Sequence, residues 1–166
     1  MIHGINNFSA PVGIRQTART AAGNAVWAMT SAPIATAENV LIHEITLLIG
    51  YCSTTINNSL IGYSLTKFSN ATPTGGTAII ASPQDTNNAA TVITDIRFLD
   101  TGLTTTGIIR GAPIAHITLP TTNGATNMYR RTFTSISLDP GEGLLIDLFL
   151  TAEIGLVLSG EIIWSE

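Results

Sequence analysis

Charge is what this sequence has least of. Asp, Glu, Lys and Arg together make up 11% of its 166 residues, against about 25% in an average soluble domain. Lys67 is the single lysine, and six arginines complete the positive charge against eleven carboxylates, for a formal net charge of −4. No basic run is available to neutralise a phosphate backbone, which argues against nucleic acid as a partner. Thr, Ser, Asn and Gly fill the deficit, not lipid-favouring residues. A fully solvated surface normally carries more charge for solubility. The composition therefore points to a β protein whose surface is partly covered by neighbours.

Cysteine is almost absent. Cys52 stands alone, which excludes an intrachain disulfide. It reads as a small buried hydrophobe, since no basic neighbour in sequence would activate its thiol. The opening MIHGINNFSAPVG has neither the basic nor the apolar region of a secretory leader, so none is expected. The longest apolar stretch, residues 40–50, is interrupted by His43 and Glu44 and is too short to span a bilayer, so no membrane partner is expected. Helical periodicity is missing as well. The single candidate, TNNAATVITDI, is too rich in β-branched residues for a long helix.

What is present is alternation with a period of two, the mark of half-buried strands. In VLIHEITLLIG, Leu41, Ile45, Leu47 and Ile49 share one face with His43, and Val40, Ile42 and Leu48 share the other with Glu44 and Thr46. In VITDIRFL, Val92, Ile96 and Phe98 alternate with Asp95 and Arg97. The joins are dense in Pro, Gly, Asn and Asp. Asn123-Gly124 suits a tight hairpin turn. Asp139-Pro140-Gly141-Glu142 fits a type II turn, with Pro presetting φ and Gly accepting a positive one. After that turn the chain supplies two amphipathic strands. Leu156, Leu158, Ile162 and Trp164 occupy one face of the second, so Trp164 is expected in the core and Glu166 at an exposed end.

Eight strands are expected, near residues 24–30, 40–50, 60–68, 92–98, 107–118, 132–138, 143–151 and 155–165. That many short strands without helices predicts an all-β fold, an antiparallel β-sandwich of jelly-roll type. The domain so defined is 24–166. Residues 1–23 break the period and read as an extended N-terminal arm. Its anchors Ile2, Ile5 and Phe8, with Arg15 and Arg19, are the candidate contact residues for another subunit.

Catalytic and metal-binding constellations are scarce. His3, His43 and His116 have no His or Cys partner at metal-ligand spacing. His43 and His116 read as satisfied core histidines. Ser64-Leu65-Thr66-Lys67 matches S-x-x-K, but a strand puts Ser and Lys on opposite faces and the partner motifs are missing. Gly141-x-Gly143 belongs to a turn, since neither a third Gly nor a helix follows. Asp139, Glu142 and Asp147 lack the alternation of a calcium loop, and Asp147 reads as an exposed-face polar residue. Arg130-Arg131 reads as a solvated loop pair or a contact for an acidic partner. No catalytic residue, metal or cofactor is assigned.

TPTGGTAIIASPQDTNNAATVITDI has a Gly-Gly turn, a short strand, a Pro-x-Asp and an Ala-rich segment. LDPGEGLLIDL and the closing EIIWSE form an apolar Pro-Gly-Glu-Gly hairpin with a last strand ending Glu-x-x-Trp-x-Glu. Over roughly residues 70–166 these motifs resemble small head decoration, or cement, proteins of tailed bacteriophages. The resemblance implies a structural virion protein on the outer capsid surface, made in the host cytoplasm. Its partner would be the major capsid protein, and it would self-associate, for instance as a homotrimer. It carries over no site residues. The alternative is a tail or baseplate jelly-roll module binding host glycan, which calls for exposed loop aromatics. Aromatics are only 6% of the chain, and Trp27 and Trp164 both fall in expected strands.

Overall fold

The computed structural model describes residues 7–15, 23–32, 39–51, 60–84, 91, 93–99, 102–120, 127–148 and 156–166. Among them are eleven strands and no helix: β1 (Asn7–Arg15), β2 (Ala25–Ser31), β3 (Val40–Tyr51), β4 (Leu60–Ser69), β5 (Thr77–Ala78), β6 (Ser82–Pro83), β7 (Ile93–Phe98), β8 (Ile109–Pro120), β9 (Asn127–Leu138), β10 (Gly143–Leu148) and β11 (Leu156–Ser165). They form two antiparallel sheets, β6-β1-β11-β3-β9 and β5-β7-β2-β10-β4-β8. The pairing is nested. β1 pairs with β11, β2 with β10, β3 with β9 and β4 with β8. A long antiparallel ribbon wrapped in this way gives four strands per sheet, the jelly-roll order expected from the sequence.

All eight expected strands have an observed counterpart. One of them, β7, is an addition beside β2 and not a member of the ribbon. The eighth ribbon strand is β1, inside the segment assigned to an arm. That boundary is corrected here. β1 pairs along its whole length with the last strand, from Asn7 opposite Ser165 to Arg15 opposite Val157. Phe8, Ala10 and Val12 alternate into the core. Pro11 is tolerated because β6 pairs only with Phe8 and Ser9, so β1 is an edge strand from there on. Residues 1–6 and 16–22 of the expected arm, the Asn123-Gly124 turn and Cys52 lie outside the described residues.

The core lies between the sheets. Phe8, Ile42, Ile45, Leu47, Leu158, Ile162 and Trp164 from the first meet Trp27, Met29, Tyr63, Leu65, Leu144 and Ile146 from the second. Burial holds the Tyr63 phenol well above its ordinary pKa. β3 departs from the simple alternation read in the sequence. Val40 and Ile42 point inward, and so do Ile45 and Leu47. The register slips between Ile42 and Glu44, so His43 is an extra residue that reverses the phase. His43 is half-buried at this bulge, where its Nε2 hydrogen-bonds the Ser165 hydroxyl at 2.7 Å. At Gly160 a Cβ would come within 1.9 Å of the Thr46 carbonyl oxygen, so only glycine allows β11 this close to β3.

The turn before β10 is as expected. Glu142 N–H donates to the Asp139 carbonyl at 2.9 Å, and Gly141 has φ 81°. Ser31 clamps it from β2: its hydroxyl oxygen lies 2.9 Å from both the Asp139 and Glu142 carbonyls and accepts Gly141 N–H at 3.1 Å.

Trp164 is fully buried and stacks on Phe8, with ring centroids 5.9 Å apart and 19° between planes. Its indole N–H donates to Glu166 Oε1 at 3.0 Å. That oxygen also accepts the Thr91 hydroxyl, and Thr91 Oγ1 accepts Ile93 N–H at 3.0 Å. Glu166 is therefore half-buried and engaged, not an idle exposed end. Trp164→Ala is expected to cost about 3–5 kcal/mol, a large part of a typical stability of roughly 5–15 kcal/mol, measured by denaturant unfolding. Glu166→Ala leaves a buried indole N–H unpaired and is expected to cost about 1–3 kcal/mol, whereas Glu166→Gln keeps an acceptor and should cost less. Equal midpoints for Glu166→Ala and wild type would remove the Glu166 hydrogen bonds from the account.

Candidate interaction surface

The two sheets present different outer faces. On the first, period-two alternation turns outward what the core does not use. Two rows cross β1, β11 and β3 by register: Ser9, Ile163 and Glu44, then Pro11, Glu161 and Thr46. Leu41, Leu48, Val157 and Ile163 on this face are half-buried. Among the described side chains of these three strands its charges are Glu44 and Glu161, and Thr46 Oγ1 donates to Glu44 Oε1 at 3.0 Å.

On the second sheet the outer face is roofed. Leu103, from the connection between β7 and β8, packs with Ala25, Ala28, Phe68 and Leu145, flanked by Leu99 and Ile108. Leu103 N–H donates to the Ala25 carbonyl at 2.6 Å and Leu99 N–H to that of Val26 at 3.0 Å. Gly143 seats the Phe68 ring, since a Cβ there would lie 2.2 Å from Phe68 Cζ. This second layer buries β10 on both faces.

Beside the roof lies a hollow of about 460 Å³ lined by Ser64, Thr66, Arg110, His116 and Asp147. Asp147 is buried, not on an exposed face as the alternation suggested, and Arg110 Nη2 donates to its Oδ1 at 3.2 Å. The pairing of β8, β4 and β10 sets His116, Ser64 and Asp147 in one row. These are the residue types of a hydrolase triad in the wrong order. Ser64 stands between the imidazole and the carboxylate, so Asp147 cannot orient His116 as a base. His116 is exposed on this row, not in the core.

A larger hollow, about 530 Å³, opens between Thr30 of β2, Thr94 of β7, residues 69–72 and the 139–142 turn. Its carboxylate, Glu142, accepts Lys67 Nζ at 2.6 Å and the Asp139 N–H at 2.9 Å. Burial pushes the Glu142 carboxyl up, but these donors outweigh it and hold the carboxyl below its ordinary value. The three carboxylates considered for calcium are thus not brought together: Asp147 pairs with Arg110 and Glu142 with Lys67.

The residues expected to contact another subunit separate. Phe8 is corrected: it fills the chain's own core against Trp164 and is only 2% exposed, so it offers no external anchor. Arg15 is the last residue of β1. Ile2, Ile5 and Arg19 lie outside the described residues. Arg131 is exposed on the long edge strand β9, which replaces the loop expected there. The outer face and both hollows were missed because their residues come from distant segments. The register that joins them is not written in any local pattern. No protein-family model, curated protein or solved structure matches this chain.

The Lys67–Glu142 pair carries a pH signature. A carboxyl held below its unfolded value, about 4.3, stabilises the fold above that pH, and the contribution disappears as pH falls through the folded value. Glu142→Gln is therefore expected to be less stable than wild type at pH 7, with the gap closing below about pH 4. A gap that stays constant in thermal melts between these pH values would contradict the pairing.

Proposed function

We propose that this chain is a structural virion protein that decorates the outer surface of a phage head and stabilises contacts between major capsid subunits. The observation that carries this reading is the outer face of β1, β11 and β3, which no other described element covers. Half-buried Leu41, Leu48, Val157 and Ile163 lie there among small residues, with little charge to desolvate. Burying a partly apolar, weakly charged face against a neighbour releases water at low electrostatic cost. The low overall charge and the resemblance of residues 70–166 to head decoration proteins support the same reading. Self-association, for instance as a homotrimer, would cover part of the same surface. Ile2 and Ile5 precede β1 in sequence and remain the candidate anchors to a neighbouring subunit.

A ligand that binds only the assembled shell stabilises that shell by mass action. Purified heads lacking the protein should therefore survive heating or osmotic shock less well than heads to which it has been added back. Coincident survival curves would rule out cementing. Deleting residues 1–6 spares β1 and is expected to weaken head binding while the isolated domain melts as before. Unchanged saturation of heads by the shortened chain would remove the N-terminal anchors from the proposal.

A further inference from the structure

The larger hollow is unexplained by capsid binding, and its lining has a definite chemistry. Ser69, Thr72 and Thr94 bring hydroxyls to it, and Asn70 an amide. A hydroxyl both donates and accepts, so such a wall complements a ligand that does the same. The carboxylate at the wall, Glu142, is already neutralised by Lys67 at 2.6 Å, so the site has no net call for an ion. Ala71 and Pro140 add apolar surface. The volume, about 530 Å³, lies in the range of small-molecule sites.

The frame is rigid where it matters. Ser31 clamps the 139–142 turn. Asn70, at φ 79°, is fixed by its Nδ2 donating to the Gly107 carbonyl at 2.8 Å. Thr94 Oγ1 donates to the Thr30 carbonyl at 3.3 Å, which joins β7 to β2. At the floor, Thr30 is buried, 5% exposed.

We propose that this hollow binds a neutral saccharide. Ring hydroxyls meet the Thr, Ser and Asn side chains, and the C–H face of the sugar rests on Ala71 and Pro140. The inference goes beyond the decoration reading and does not rest on it, because the hollow lies on the second sheet, away from the outer face of β1, β11 and β3.

The test is titration calorimetry of the full chain with a panel of free neutral and acidic monosaccharides, together with binding to immobilised glycans. At least one neutral sugar is expected to bind with a dissociation constant of about 1 mM or tighter. Binding to immobilised glycans without binding to free monosaccharides would also support the site, and would identify a residue within a longer glycan as the ligand. Ser69→Ala, at a half-buried position on the wall, removes one of the lining hydroxyls, so affinity should fall about tenfold while the melting temperature holds. Thr72→Val, at an exposed position, should also weaken binding without changing the melting temperature. No binding anywhere on the panel, binding of acidic sugars only, or wild-type affinity in both variants would overturn the proposal. Head-binding assays on the same variants keep the two readings apart, since both variants should decorate heads normally.

Discussion

The first strand of this protein is held by the last. β1 and β11 pair residue for residue over nine positions, and the Phe8–Trp164 stack lies inside that seam. Every other strand pair of the ribbon is nested within this one, so the two ends of the chain must meet before the sandwich is closed. Such pairing carries a loop-closure cost spread over almost the whole sequence. It is offset by burying two large aromatic surfaces together, which is worth more than either ring would gain alone. Glu166 and Thr91 complete the seam by satisfying the one polar atom that Trp164 takes into the core.

Closure of this kind decides what the outside can be. On the second sheet the connection from β7 to β8 folds back and buries Phe68 and Leu145 a second time. That roof leaves polar hollows at its margins. The first sheet has no such cover among the described residues, and its outer surface stays half-apolar and thinly charged. The sequence-wide shortage of Lys and Glu thus has a local meaning. It spares a sheet face, and the ion pairs Lys67–Glu142, Arg110–Asp147 and Arg97–Asp95 fasten turns and strands of the second sheet. Arg97 and Asp95 meet through two hydrogen bonds, 2.5 and 2.7 Å, and Arg97 reaches on to the Gly75 carbonyl.

Period-two alternation was enough to read the fold class and eight strands, because each strand in this fold has one face in a common core. It located Trp164 and the Pro140-Gly141 turn, where local chemistry dictates local geometry. It failed at β1, where Phe8, Ala10 and Val12 do alternate but Pro11 and Gly13 argue against a strand. Only the edge position of β1 makes them acceptable. In β3 a single bulge at His43 reverses the faces, and nothing in VLIHEITLLIG announces it. Asp147 looked exposed because alternation assigns a face but cannot show that Arg110 of β8, 37 residues earlier in sequence, will reach over to pair with it. The hollows were illegible for the same reason: Thr30, Asn70, Thr94 and Glu142 become neighbours only through long-range register.

The central claim is that the β1–β11 seam opens only when the whole domain does. Native-state amide hydrogen exchange tests it most directly, because it reports the opening free energy of each strand separately. The account predicts that the hydrogen-bonded amides of β1, on both sides of Pro11, exchange with the same free energy as those of β11 and β3, equal to that of global unfolding. Exchange of β1 amides through a local opening, at a free energy well below that of β11, would show that the first strand is an accessory to a sandwich that closes without it.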